Sequence, residues 1–321
     1  IGTSGSISGT ELFYYSGPDH DDRGENNNTG RRSTHSQVGG VLGYAWGSSG
    51  TLLPLTAVQS SAVVTGVNSV GGVAGTPIPG FVLNGTADRP MVVRAVGPTL
   101  SGFGVGGVLT DPRFNVVRGG VIVASSDNWL AADAAAMATA GAFALTAGSK
   151  DAAIAVLLAP GAYTAPVTAA DGGSGVALLE VYDAATSSSV NVINASTRAF
   201  VGSGDSVLIP GFVVSGTGSL KLLIRAVGPT LTSLGVTGVL ADPTITLYRG
   251  TTALATNDNW SGATNAVEIS ATAAAVGAFA LPAGSRDAAL VTTLPAGNYT
   301  AIVSGVGSTT GTALVELYVV P

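Results

Sequence analysis

The heptapeptide Arg-Ala-Val-Gly-Pro-Thr-Leu occupies residues 94–100 and returns unchanged at residues 225–231, 131 positions later. At the same spacing, the pentapeptide Ile-Pro-Gly-Phe-Val of residues 78–82 returns at residues 209–213. Identity over such a distance at a fixed spacing is the signature of a duplicated structural module. The duplication therefore sets the domain organisation before any single residue is interpreted.

Two further motifs show where the copies diverge. Asp-Asn-Trp at residues 127–129 returns at 258–260 with the same spacing, whereas Gly-Ala-Phe-Ala-Leu at 141–145 returns at 277–281, 136 positions later. The second copy therefore has five extra residues after its Trp. Because the copies show no catalytic asymmetry, the duplication favours a structural or binding role over an enzyme.

The repeat boundaries predict three segments. Two repeats cover residues 58–189 and 190–321, and residues 1–57 have no counterpart in either copy. Short runs rich in Val, Thr, Leu and Tyr, separated by Gly- or Pro-bearing turns, predict an all-β chain of two tandem antiparallel β-sandwiches with a jelly-roll-like arrangement. The leading segment is too short and too polar for a core of its own, so we predict an extended N-terminal arm.

Two local patterns add detail to this fold. Ala-rich stretches at residues 131–140 and 266–276 predict one short helix per repeat, crossing one end of the sandwich. Residues 151–158 and 162–167, joined by Ala-Pro-Gly, predict a β-hairpin. Each repeat is thus expected to hold mostly strands and a single small helix.

Composition excludes several classes of function. Charged residues make up 10% of the chain, against about 25% in an average soluble protein. The net charge of −6 argues against nucleic-acid binding, which needs clustered Lys and Arg. The absence of cysteine excludes disulfides and Cys-ligated metals. No uninterrupted apolar run reaches the roughly 18 residues of a membrane-spanning helix.

Two features of the sequence bear on what covers the apolar surface of the protein and on whether the protein is secreted. The mean hydropathy of +0.46 leaves two interpretations open: extended contacts with neighbouring subunits, or well-filled sandwiches with Ser, Thr and Gly surfaces. The chain begins at Ile1 without Met or a basic and apolar leader. We interpret this as a processed or an incomplete N-terminus, and a processed one fits a secreted protein whose signal has been removed.

Eight short motifs follow one another in the same order in both copies: IPGFV, RAVGPTL, GVLxDP, SDNW or NDNW, GAFAL, GSxDAA, LxxGxYTA and ALxExY. This set resembles a tandem repeat of large secreted bacterial proteins, and its second half is similar to bacterial pre-peptidase C-terminal β-sandwich domains. The resemblance covers residues 190–321 well and 72–182 nearly as well, and leaves 1–57 unexplained. It implies an extracellular module without enzymatic activity, and it supplies no site residues.

Two arginines interrupt strongly apolar strands. Arg94 and Arg225 stand in such runs, where an isolated cation is costly. Glu180 and Glu316 interrupt the last strand of each repeat in the same way. We predict two buried structural ion pairs, Arg94–Glu180 and Arg225–Glu316, that fix strand register; Asp151 and Asp287 are the alternative partners.

The Asp-Asn-Trp motifs place short oxygen-bearing side chains beside an aromatic ring. One interpretation is a Ca²⁺ loop, because calcium takes several oxygen ligands at close spacing. The other is an Asx turn in which the Trp caps the sandwich. The metal interpretation would use five residues: Asp127, Asn128, Asn257, Asp258 and Asn259.

Catalysis has little support in the sequence. A Ser-His-Asp arrangement needs histidine, and both histidines, His20 and His35, fall in the N-terminal segment. Nearly every carboxylate of one repeat has a twin in the other, which a single glycosidase site would not need. Phosphate-loop and dinucleotide motifs are absent. The sequence therefore predicts a non-enzymatic protein without a cofactor, calcium remaining the alternative above.

The function predicted from these observations is that of a self-assembling extracellular structural protein, such as a subunit of a cell-surface filament or layer. Its partner would be further copies of the same chain, joined when the arm adds a strand to a neighbour's sheet. A contact made head to tail does not close, so it produces a fibre. The residues expected to carry this contact are Glu11, Phe13, Tyr15, Val41, Tyr44 and Trp46.

The alternative function is a binding module of a larger secreted protein that attaches it to glycans or to a cell surface. It predicts a monomer with Trp129 or Trp260 exposed for stacking on a sugar ring. A monomer would favour this alternative, whereas large heterogeneous particles would favour the filament.

Overall fold

The computed structural model describes residues 77–185, 191–204 and 207–321, together with the backbone of three earlier strands at residues 11–15, 40–44 and 63–71. Strands dominate these residues, the helices are few and short, and the pairings between strands are antiparallel. The predicted all-β class is confirmed.

Seventeen strands form in the described residues. Those before residue 190 are β1 (Glu11–Tyr15), β2 (Gly40–Tyr44), β3 (Val63–Gly71), β4 (Ile78–Asn84), β5 (Arg89–Val96), β6 (Pro112–Arg118), β7 (Val121–Ser126), β8 (Ala152–Leu158), β9 (Gly161–Thr164), β10 (Val167–Ala169) and β11 (Ala177–Asp183). Those after it are β12 (Asn191–Val201), β13 (Ile209–Val227), β14 (Pro243–Arg249), β15 (Thr252–Asn257), β16 (Ala288–Gly305) and β17 (Gly311–Val319).

Each repeat folds into two facing sheets. In the first repeat, β8, β5, β11 and β3 are neighbours in one sheet, and β7, β6, β9 and β4 are neighbours in the other. Successive residues of β5 point to opposite faces. Met91 and Val93 enter the core between the sheets, whereas Val92 and Val96 join a second cluster on the outer face. The second repeat has the equivalent arrangement.

The predicted hairpin of residues 151–158 and 162–167 is wrong. β8 pairs with β5, whereas β9 pairs with β4 in the facing sheet. In the second repeat the equivalent strand β16 is continuous and runs beside β13, with a break in register between Val214 and Ser219. The Ala-Pro-Gly segment therefore carries the chain from one sheet into the other instead of folding it back on itself.

The first strand of each repeat pairs with a strand of the other repeat. β12 pairs with β4, with Ser196 opposite Gly80, and β3 pairs with residues 209–215 of β13, with Asn68 opposite Gly211. Each first strand also pairs with the last strand of its own repeat, β11 or β17. We call β3, β4, β12 and residues 209–215 the seam. Because main-chain pairing crosses the seam in both sheets, the two repeats share both layers.

The outer face of one sheet in each repeat is covered by a helical segment. In the first repeat, Leu100, Met137 and Phe143 pack with Val92 and Val96. In the second repeat, Trp260 and Ile269 pack with Leu223 and Ala289. The helix in each repeat lies on this outer face rather than across one end of the sandwich. The helices are α1 (Ala134–Thr139) and α2 (Ala266–Ala275), with short 3-10 turns at Pro98–Phe103, Ala131–Asp133, Pro229–Leu234, Trp260–Gly262 and Val306–Ser308.

Candidate functional site

A buried ion pair lies on the outer face of β5, beneath the helical segment. Arg94 and Glu180 lie opposite each other in the register of β5 and β11. The Nε of Arg94 donates to Oε2 of Glu180 at 2.8 Å, and its Nη2 lies 2.6 Å from the same oxygen. Its Nη1 donates to the main-chain oxygen of Phe143 at 2.6 Å, and the guanidinium carbon lies 4.3 Å from the centre of the Phe143 ring. The cation is thus neutralised by the carboxylate, hydrogen-bonded through its Nε and Nη1, and stacked against the Phe143 ring.

The second repeat contains the same arrangement. Arg225 lies opposite Glu316 in the register of β13 and β17 and donates from Nε to Oε2 at 2.9 Å. Its Nη1 donates to the main-chain oxygen of Phe279 at 2.6 Å, and the ring of Phe279 lies 4.3 Å from the guanidinium carbon. The structure therefore brings together both pairs predicted from the sequence. The Phe carbonyl of the GAFAL motif, which completes each site, was not predicted.

A tyrosine occupies the remaining oxygen of each glutamate. The hydroxyl of Tyr182 donates to Oε1 of Glu180 at 2.5 Å, and that of Tyr318 donates to Oε1 of Glu316 at 2.7 Å. Burial raises the pKa of Tyr182 well above its usual value, and the adjacent Glu180 carboxylate raises it further. The pKa of Tyr318 is raised for the same two reasons. Both hydroxyls therefore remain protonated donors at neutral pH.

We expect the protein to lose stability as the pH rises above about 10, where a free tyrosine ionises. The folded chain keeps tyrosine protons that the unfolded chain releases, so the free energy of unfolding falls with rising pH. Replacing both Tyr182 and Tyr318 with Phe should flatten this fall between about pH 9 and about pH 11. Urea unfolding at each pH measures it, with Tyr248→Phe as a control for the loss of a tyrosine. An equally steep fall in the double variant would contradict this assignment.

The alternative partners of the arginines serve a different site. Asp151 is buried at the start of β8, where its Oδ1 accepts hydrogen bonds from the main-chain N–H groups of Gly97 at 2.7 Å and Thr99 at 3.3 Å. Its Oδ2 accepts from the hydroxyls of Thr99 and Ser149. Asp287 holds Gly228 and Thr230 in the same way. These carboxylates therefore anchor the Gly-Pro-Thr turn that follows the strand containing the arginine. In each repeat the RAVGPTL motif and the GSxDAA motif thus form one structural unit.

The glycine of this turn is required by a close approach of two backbone segments. A Cβ at Gly97 would lie 2.0 Å from the main-chain oxygen of Leu109, and one at Gly228 would lie 2.1 Å from that of Leu240. No side chain fits in this space. The glycine of the repeated heptapeptide is thus explained by backbone packing.

The Trp of each Asp-Asn-Trp motif is hydrogen-bonded to the buried aspartate of the same repeat. The main-chain N–H of Trp129 donates to the carbonyl of Asp151 at 2.8 Å, and that of Trp260 donates to the carbonyl of Asp287 at 2.9 Å. The indole N–H groups donate to Ser149 at 3.2 Å and to Ser285 at 3.1 Å. Both rings therefore close the outer cluster of their repeat, as the capping interpretation predicts.

The residues proposed for a calcium loop do not form an oxygen cage in the structure. Asp127, Asn128 and Asp258 are exposed, whereas the Oδ1 of Asn257 accepts from the main-chain N–H of Ala289 at 3.0 Å. The carbonyl of Asn259 accepts from the Nδ2 of Asn257 at 3.4 Å. Within residues 77–185, 191–204 and 207–321, no three His, Cys, Asp or Glu side chains lie close enough together to hold a metal ion.

One buried ion pair was not predicted. Arg89 at the start of β5 donates to Asp183 at the end of β11, and both side chains are buried. Burial raises the pKa of Asp183, and hydrogen bonding to Arg89 opposes this change. The equivalent positions in the second repeat are Leu220 and Val319, which pack against the core. The sequence signal that could have revealed this pair is that Arg89 and Asp183 occur in the first repeat and have no charged counterparts in the second.

The predicted arm residues fall on two strands whose backbone is described. β1 contains Glu11, Phe13 and Tyr15, and β2 contains Val41 and Tyr44. The strands pair antiparallel, with Phe13 opposite Leu42. Trp46 lies outside the described residues.

Comparison of the sequence with protein-family models found no match, and no curated protein matched it either. Among the described residues, no helix has the length and apolar character needed to cross a membrane.

Proposed function

We propose that this chain is a non-enzymatic structural protein of the cell exterior that assembles with copies of itself. The buried charges support a structural role, because each one binds a group of its own repeat and the same network is built twice. An active site would instead leave some of these groups free for a substrate.

The observation that carries self-assembly is the ribbon formed by β1 and β2. In its register Phe13 lies opposite Leu42 and Tyr14 lies opposite Val41, so the paired residues are apolar or aromatic in type. A two-stranded ribbon is marginally stable on its own in water. β2 lies close to β3 and β13 of the body. A second copy of the chain would supply the further pairing surface that such a ribbon needs.

The alternative of a glycan-binding module has less support from the geometry. Trp260 is 8% exposed, and both Trp side chains are held by hydrogen bonds within their repeat. In the described part of the chain, the large apolar side chains that are exposed are all aliphatic. Stacking on sugar rings needs an exposed aromatic face.

Replacing Phe13 with Pro tests the role of the arm. Proline removes a main-chain donor and disrupts strand pairing, so we expect this variant to remain a monomer of 31.4 kDa under conditions in which the wild-type chain is expected to form large particles. Sedimentation velocity and negative-stain electron microscopy measure the change. Asn27→Pro, in the polar stretch between the two strands, is the matched control and should retain the particles. Particles of unchanged size for Phe13→Pro would exclude the arm as the connector.

A further inference from the structure

The turn between β4 and β5 contains the one Asn-Gly dipeptide of the chain, Asn84-Gly85. Asn84 is the last residue of β4, and Gly85 begins the bend that leads toward β5. The side chain of Asn84 is exposed. The φ angle of Gly85 is +143°, a backbone conformation that favours glycine. The dipeptide therefore lies in an exposed turn at the end of a strand.

The groups of this turn that could react with each other have no other partner. Neither the side-chain amide of Asn84 nor the main-chain N–H of Gly85 forms a hydrogen bond with a residue that the structure describes. Because Gly85 has no side chain, nothing on that residue shields its main-chain nitrogen from the preceding side chain. The Gly85 nitrogen can therefore approach the side-chain carbonyl carbon of Asn84.

We propose that Asn84 is a site of spontaneous deamidation through a succinimide. The main-chain nitrogen of Gly85 loses its proton to hydroxide and bonds to the side-chain carbonyl carbon of Asn84. The bond from that carbon to the amide nitrogen breaks, and the nitrogen leaves as ammonia with a proton from water. Water then opens the succinimide ring at either carbonyl, which gives aspartate or isoaspartate at position 84. In total one water is consumed and one ammonia is released.

Two other exposed asparagines lack this combination of features. Asn128 is followed by Trp129, whose main-chain N–H donates to the carbonyl of Asp151 at 2.8 Å. That nitrogen is therefore held away from the asparagine side chain. Asn115 lies within the paired strand β6 and is followed by Val116, whose branched side chain crowds the main-chain nitrogen. Exposure alone thus does not make an asparagine of this chain reactive.

The Asp-Gly dipeptide of the first repeat, Asp171-Gly172, is protected in a different way. The Oδ2 of Asp171 accepts from the hydroxyl of Thr110 at 2.7 Å, and its Oδ1 accepts from the main-chain N–H of Gly173 at 2.8 Å. These hydrogen bonds lower the pKa of Asp171, so its carboxyl group stays ionised at neutral pH. An ionised carboxylate resists attack by a main-chain nitrogen. The side chain of Asp171 is therefore held unreactive.

The reaction would change one end of the seam. Asn84 lies opposite Asn191, the first residue of β12. Both products add a negative charge, and isoaspartate also lengthens the main chain by a methylene group, so the pairing of β4 with β12 would end before position 84. The equivalent residues of the second repeat are Ser215 and Gly216, which cannot undergo this reaction. The change is therefore confined to the first repeat.

Peptide mass spectrometry of the folded wild-type chain, incubated at mildly alkaline pH, tests this inference. We expect the peptide that contains residue 84 to gain about 1 Da, because a carboxylate replaces the amide. The peptides that contain Asn115 and Asn128 should keep their mass over the same period. Protein isoaspartyl methyltransferase should label the peptide of residue 84, because the ring opens at both carbonyls. Asn84→Ser, which introduces the residue of the second repeat, should abolish the label.

A parallel incubation in urea separates the chemistry of the dipeptide from the effect of the turn. Conversion of Asn84 in urea but not in the folded chain would show that the turn keeps the two groups apart, and it would overturn the inference. Aspartate formed without isoaspartate would indicate direct hydrolysis and exclude attack by Gly85. None of these readouts requires assembly, so a failure here leaves the proposed function intact, and a monomeric wild-type chain leaves this inference intact.

Discussion

Replacing Arg94 with Met is expected to lower the free energy of unfolding by about 3–5 kcal/mol. The substitution leaves Glu180 buried without its cation and the carbonyl of Phe143 without its donor. A buried carboxylate that has lost its partner retains the cost of desolvation and loses the attraction that offset it. Urea unfolding followed by tryptophan fluorescence measures the loss. Arg113→Met, an exposed arginine of β6, should change the free energy by less than about 0.5 kcal/mol.

The double variant Arg94→Met with Glu180→Leu should recover most of this loss, because a well-packed apolar pair replaces a buried ion pair at little cost. The chain provides a natural precedent at Arg89 and Asp183, whose equivalents in the second repeat are Leu220 and Val319. A double variant no more stable than Arg94→Met alone would show that the two residues do not act as a pair.

Replacing Asp151 with Ala is expected to lower the free energy of unfolding by about 4 kcal/mol, because hydrogen bonds to a charged group contribute about 1.5–3 kcal/mol each. The substitution leaves two main-chain N–H groups, those of Gly97 and Thr99, without an acceptor. Both lie in the turn that leads from β5 into the helical cover. The loss should therefore appear as a lower melting temperature and faster amide hydrogen exchange at residues 97–100.

Two further variants test whether the carboxylate itself is responsible. Asp151→Asn keeps one acceptor for the turn, so we expect it to recover about half of the loss. Asp88→Ala removes an exposed carboxylate and should have an effect within about 0.5 kcal/mol. If Asp151→Ala matched Asp88→Ala, the anchoring role of Asp151 would be excluded.

The local chemistry of the repeats was predictable from the sequence to a large extent. An arginine in an apolar strand needs a buried anion, and a glutamate in another apolar strand of the same repeat is a natural partner. The same arrangement of Arg and Glu occurs in both repeats, which makes a chance occurrence less plausible than a conserved structural pair within the duplication. The Phe143 carbonyl and the Tyr182 hydroxyl were not predicted, because a main-chain acceptor leaves no trace in a sequence and a tyrosine in a strand is ordinarily explained by packing.

The topology was less predictable. A short turn with Pro and Gly between two apolar runs favours a hairpin, yet residues 159–161 carry the chain between sheets. Local composition does not distinguish these outcomes, since both need the same turn residues. The pairing of β12 with β4 across the seam cannot be seen in the local sequence either, because strands that pair across 107 to 120 residues leave only the ordinary pattern of a strand.

Sedimentation velocity of the wild-type chain of residues 1–321, over a range of concentrations at neutral pH, tests most directly whether this protein is a self-assembling building block. We expect large, heterogeneous particles whose size grows with concentration and which are elongated in electron micrographs. A single species of 31.4 kDa at every concentration would contradict self-assembly and leave the two-repeat body as a monomeric module.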